Sequence, residues 1–183
     1  VAFYFVGGEM DGNRLALNAR DLNRYLTRPG FDTMIVEYRG RGHEHFYDEI
    51  IRIFDWMNLH RREFPQRDFT CSSLRPWDNF FWFVELAGFP ERSIVGPLAW
   101  PKPQARVANT EATIGPNNRV RVKSAASQVT VWLSPEMVDF SERIEVSING
   151  RVKGRDVEPS LEVLLEDVRT RADRFHPFWA KVN

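Results

Sequence analysis

At Pro65 the hydrophobic period of the chain changes, and this change constrains the fold more than any other feature of the sequence. Before it, apolar runs of strand length alternate with stretches of helical spacing. Residues 1–6, Val-Ala-Phe-Tyr-Phe-Val, are a continuous apolar run stopped by Gly7-Gly8. Such a run reads as a central strand, buried on both faces. Leu15, Ala19, Leu22 and Leu26 follow at spacings of four, three and four, one face of a helix stopped by Pro29-Gly30. Residues 33–38 predict a second strand, and Arg39-Gly40-Arg41-Gly42 a turn. Ile50, Ile53, Phe54 and Met57 put an apolar face on a second helix, with Asp48 and Glu49 in its first turn and Arg61-Arg62 in its last. Strand, helix, strand, helix is the α/β pattern with parallel strands.

After Pro65 the period falls to two. Residues 69–74 and 80–86 predict strands around Pro76-Trp77-Asp78-Asn79. Pro90, Pro97, Pro101 and Pro103 break up a loop. Residues 119–123, 129–133 and 144–148 alternate, and Asn149-Gly150 predicts a hairpin returning through residues 151–153. Residues 161–171 predict a helix and 178–182 a last strand. The expected architecture is therefore an α/β unit over residues 1–64, and a mostly antiparallel β-sandwich over residues 65–183.

Charge and composition exclude several classes of function. Lys and Arg number 25, Asp and Glu 25, so no basic field draws the chain to nucleic acid. The hydrophobic share, 43%, is too high for a disordered chain. No apolar run approaches the roughly 20 residues of a membrane helix, so no membrane partner is expected. One cysteine, Cys71, cannot form an intrachain disulfide, and its strand context suits a buried, inert thiol. These features set no cellular compartment.

Two loops carry chemistry. Asp11 follows the first strand and His43 the second. The carboxyl ends of neighbouring parallel strands are where active sites of open α/β folds collect. A carboxylate there can hold an imidazole in one tautomer and stabilise its cation. His43-Glu44-His45 has a metal-type spacing, but no second ligand cluster accompanies it, so no metal is expected. Arg14, Arg39 and Arg41 lie near this position. Arg14 and Arg41 are candidates to bind a substrate carboxylate, against a slightly favoured solvated or ion-paired role. The cluster Trp77, Phe80, Phe81, Trp82 and Phe83 suits core packing better than a saccharide platform.

The stretch Gly7-Gly8-Glu9-Met10-Asp11-Gly12 resembles the acid loop of the α/β-hydrolases, above all their prolyl-oligopeptidase and esterase branch. Tyr38-Arg39-Gly40-Arg41-Gly42-His43-Glu44, with Phe46 and Phe54-Asp55-Trp56-Met57, resembles that branch's histidine loop and last helix. The order Asp then His is that of the family. The resemblance implies a serine hydrolase, a peptidase or esterase acting on peptide or ester substrates without a cofactor, in which Asp11 and His43 are catalytic. None of the nine serines sits in a G-x-S-x-G elbow. The chain thus reads as the C-terminal part of such an enzyme, lacking the nucleophile and inactive alone. Its first strand would then lack a neighbour, so the fragment is expected either to self-associate or to be covered by the residues after Pro65. The alternative is a non-catalytic binding module whose β domain contacts saccharide or a protein partner.

Overall fold

The computed structural model describes residues 2–12, 32–61, 63–94 and 106–183. The helix expected over residues 15–26, and Arg14 with it, lies outside these residues. The chain divides into two compact units, Val1–Arg62 and Glu63–Asn183.

In the first unit, β1 (Phe3–Gly8) and β2 (Thr33–Tyr38) pair in parallel, Phe3 beside Thr33 through Gly8 beside Tyr38. A 3₁₀ turn, Tyr47–Glu49, leads into α1 (Ile50–Asn58). Alternation puts Tyr4 and Tyr38 on one face of the pair, where Glu49 meets both. Phe3 and Phe5 share the other face and stack, ring centroids 5.9 Å apart.

The second unit holds two sheets around one core. The first, in the order β10-β9-β7-β6-β3, comprises β3 (Asp68–Ser73), β6 (Ala108–Gly115), β7 (Arg119–Ser124), β9 (Glu145–Ile148) and β10 (Arg151–Arg155). The second, β11-β8-β5-β4, comprises β4 (Phe80–Phe81), β5 (Val84–Ala87), β8 (Gln128–Leu133) and β11 (Ala180–Val182). Inward residues alternate along the strands: Ala112 and Ile114 on β6, Val120 and Val122 on β7, Val129 and Val131 on β8. Phe83, Leu133, Ile144 and Phe178 fill the centre, each fully buried. A side chain of that size contributes about 1.5–3 kcal/mol on burial. The helix α2 (Leu161–Arg171) is capped by Ser160, whose hydroxyl accepts from the Val163 N–H, and ends at Ala172 in the left-handed region, φ 56°.

The expected class, an α/β unit plus an antiparallel sandwich, does not hold. The described residues form eleven strands and two α-helices, in one parallel pair, one mixed sheet and one antiparallel sheet, so the chain is mostly β. The larger sheet is mixed because the chain leaves it after β7, builds β8 in the other sheet, and returns as β9 parallel to β7. A period of two reports which side chains share a face and is blind to strand direction. The strand expected over residues 80–86 is also corrected. Trp82 takes φ 56°, and the chain turns there, so β4 and β5 form a hairpin. Phe83 lies in the core, while Phe80 and Trp77 are exposed.

Candidate functional site

The loops after β1 and β2 are joined by backbone hydrogen bonds. The Glu9 N–H donates to the Tyr38 carbonyl at 2.9 Å, and the Met10 N–H to the Arg41 carbonyl at 2.8 Å. The Glu9 carboxylate accepts from the Gly40 N–H at 2.9 Å, and Gly40 turns the second loop at φ 72°. Gly8 is required where the loops meet. A β-carbon there would lie 2.3 Å from the Arg41 carbonyl oxygen and 2.5 Å from that of Gly42. Backbone thus approaches backbone as only glycine permits.

This junction brings Asp11 and His43 together. His43 Nδ1 lies 2.9 Å from Asp11 Oδ2. The Asp11 side chain is 20% exposed and that of His43 85%, so the acid is sheltered and the ring open. Among the described residues His43 Nε2 has no hydrogen-bond partner. The ring is fixed on one nitrogen and available on the other, as a general base needs to be.

Arg41 sits beside this pair with its guanidinium engaged. It donates from Nε to Glu44 at 2.6 Å and from Nη1 to Asp48 at 2.8 Å. It also lies over the rings of Tyr38 and Phe46, 5.0 and 5.1 Å from their centroids. Glu44 holds the guanidinium proton more firmly than usual, with Asp48 adding to it, and Arg41 holds Glu44 below the ordinary carboxylate value. The arrangement braces the histidine loop against the start of α1. His45 packs near Tyr47, ring centroids 5.6 Å apart. Among the described residues no three His, Cys, Asp or Glu side chains converge to hold a metal.

Glu49 is the residue that sequence reading undervalues. It reads as a first-turn charge, yet it is 1% exposed, and its two carboxylate oxygens accept the hydroxyls of Tyr4 and Tyr38, one from each strand. This ties α1 to the parallel pair below the loops. The Tyr38 hydroxyl first, then that of Tyr4, holds Glu49 below the ordinary carboxylate value. The same bond pushes Tyr4 up from 10.0 to about 12. At the other end of α1, His60 Nε2 lies 2.5 Å from Asp32 and Nδ1 2.7 Å from the Trp56 carbonyl oxygen. Only the helical register of Tyr47–Glu49 and α1, set by tertiary contact, aims these groups.

The Glu49 clasp gives the first unit two pH edges. A carboxylate held low in the fold adds stability above its ordinary range, and that stability is lost as pH falls through the folded value. A tyrosine held high adds stability below its ordinary 10.0 and loses it as pH rises toward about 12. Stability of this unit should therefore decline both in acid and between pH 10 and 12. Glu49→Gln should flatten both edges. Near-ultraviolet circular dichroism across pH, for wild type and variant, reads this directly; an unchanged alkaline edge in the variant would refute it.

Cys71 on β3 is half-buried, and desolvation pushes its thiol up to about 11, away from nucleophilic use. The nine serines all lie in the second unit, and residues 1–62 contain neither serine nor cysteine. Among the described residues of the first unit, the acid and the base therefore stand without a serine or cysteine nucleophile. Comparison with known protein families, with characterised proteins and with solved structures finds no match, so the site rests on its own geometry.

Proposed function

We propose that Asp11 and His43 are the acid and base of a serine-hydrolase triad acting on peptide or ester substrates, with the nucleophile supplied from outside residues 1–62. The observation that carries this reading is the 2.9 Å contact between Asp11 Oδ2 and His43 Nδ1 at the carboxyl ends of two parallel strands. In this role Asp11 accepts the Nδ1–H and keeps the ring in one tautomer. Nε2 takes the proton from the attacking hydroxyl as its oxygen bonds to the acyl carbon. It then returns that proton to the leaving group as the tetrahedral intermediate collapses.

The tautomer is the direct test. In long-range ¹H–¹⁵N spectra of the neutral ring, His43 should carry its proton on Nδ1, and Asp11→Asn should shift it to Nε2. A wild-type ring protonated on Nε2 overturns the reading. The chain alone should hydrolyse activated esters at the buffer rate. Ester turnover by this chain that His43→Ala abolishes would show that no outside nucleophile is needed. In an assembly that supplies the serine, Asp11→Asn should lower turnover about 10⁴-fold, the cost of the wrong tautomer in enzymes of this kind.

A further inference from the structure

The two sheets of the second unit come close between β10 and β11, where a β-carbon on Gly154 would lie 3.0 Å from both methyl groups of Val182. Beside this approach, lined by the neighbouring Lys153 and Asn183, a cleft of about 690 Å³ opens between β8 and the β9–β10 hairpin. Its floor is the edge of the core, Val129 and Ile148, each 6% exposed.

The walls differ from the rest of the inner faces. Arg151 is the register partner of Ile148, so it occupies a core-facing position, yet it is exposed in the cleft. Lys153 stands beside it, at the bulge between Val152 and Gly154. Neither cation has an ion-pair partner among the described residues. Opposite them are Gln128, Thr130 and Asn183, with Asn149 at the hairpin turn. Internal bonds fix their polarity. The Thr130 hydroxyl donates to Asn183 Oδ1 at 2.8 Å, and Asn149 Oδ1 accepts the Ser124 N–H at 2.9 Å. The amide N–H groups of Asn149 and Asn183 are therefore left to donate into the cleft. Among the described residues no Asp or Glu lines it. The cleft is rich in donors, cationic on one wall and apolar at its base.

We propose that this cleft binds an acidic saccharide, its carboxylate held by Arg151 and Lys153 and its ring hydroxyls by Gln128, Asn149 and Asn183. A guanidinium matches a carboxylate through two parallel hydrogen bonds. Side-chain amides suit vicinal hydroxyls, which must both donate and accept. A peptide would instead seek a straight strand edge, which the β10 bulge denies. The competing account of the same residues is edge protection, since β10 ends its sheet, and charge with a bulge guards such edges.

Trigalacturonate titrated into the full chain, followed in ¹H–¹⁵N spectra, separates these accounts. The expected result is saturable shifts in Gln128, Asn149 and Asn183, with the neutral trisaccharide at least about tenfold weaker. Arg151→Gln with Lys153→Gln should weaken trigalacturonate about tenfold or more, and Gln128→Ala should weaken both sugars. All three residues are exposed, so these variants keep the wild-type spectrum elsewhere. The proposal is overturned by no saturable shift, by equal binding of acetate or tri-aspartate, or by a double variant that aggregates yet binds as before.

Discussion

Asp167→Ala should destabilise the second unit by about 3–5 kcal/mol, the usual cost of orphaning one member of a buried ion pair. Asp167 is 1% exposed on α2. It accepts from Arg171 Nε at 2.5 Å, from Arg171 Nη2 at 2.7 Å and from the Phe178 N–H at 3.0 Å. Arg171 also donates to the His176 carbonyl at 3.1 Å and lies 4.3 Å over the Phe178 ring. One carboxylate thus joins the helix to the segment that places Phe178 in the core. Its loss strips the guanidinium of its two shortest bonds and leaves the Phe178 N–H without an acceptor, beside a fully buried aromatic ring. For a unit of this size the melting point should drop by roughly 10–20 °C. Asp167→Asn, which keeps an acceptor for Phe178, should cost less. In the double variant Asp167→Leu with Arg171→Leu, the penalty should be well below the sum of the single ones. A loss under about 1 kcal/mol for Asp167→Ala would mean that water replaces the carboxylate.

Gly8→Ala should separate Asp11 from His43, and Gly42→Ala should not. The added methyl at residue 8 meets two carbonyl oxygens at 2.3 and 2.5 Å, both backbone, so no side-chain rotation relieves it. The loops must part, and the bond from the Met10 N–H to the Arg41 carbonyl goes with them. Overpacking of this kind costs about 1–3 kcal/mol or more, and it falls on the contact that orders the site. At Gly42 an added β-carbon meets nothing within 4 Å. The imidazole spectra again give the readout, with His43 losing its Nδ1–H signature in Gly8→Ala and keeping it in Gly42→Ala. A preserved signature in Gly8→Ala would show that this junction does not hold the pair.

Much of this was legible in the residues themselves, and the rest was not for reasons that differ by place. The runs that became β1 and β2 were plain because strand-length apolar stretches ended in glycine turns. The helix over Leu161–Arg171 was expected where the structure has it, and the hairpin at Asn149-Gly150 was plain from its turn residues, both of which adopt positive φ, 50° and 79°. By contrast β6 was missed, because its inner face is Ala108, Thr110, Ala112 and Ile114, too small and too polar to signal burial. Thr110 is buried only because its hydroxyl meets that of Ser124 at 2.7 Å across the β6–β7 pair. The turn at Trp82 was hidden because a bulky residue there takes a backbone conformation that its type avoids. The meeting of Asp11 with His43 was argued from loops in sequence order. The burial of Glu49 under two tyrosines depends on how a helix lies on a sheet, which no local pattern encodes.

The strand β11 sets the order in which the second unit can close. It comprises Ala180–Val182 and pairs with β8 some fifty residues earlier, Ala180 beside Leu133 and Val182 beside Val131. Phe178, just before it, fills the core centre. Until that long loop closes, β8 lacks its outer neighbour and the core lacks a fully buried ring. Closing a loop of this length costs chain entropy before its contacts repay it, so the step is non-local and slow compared with forming a neighbouring hairpin.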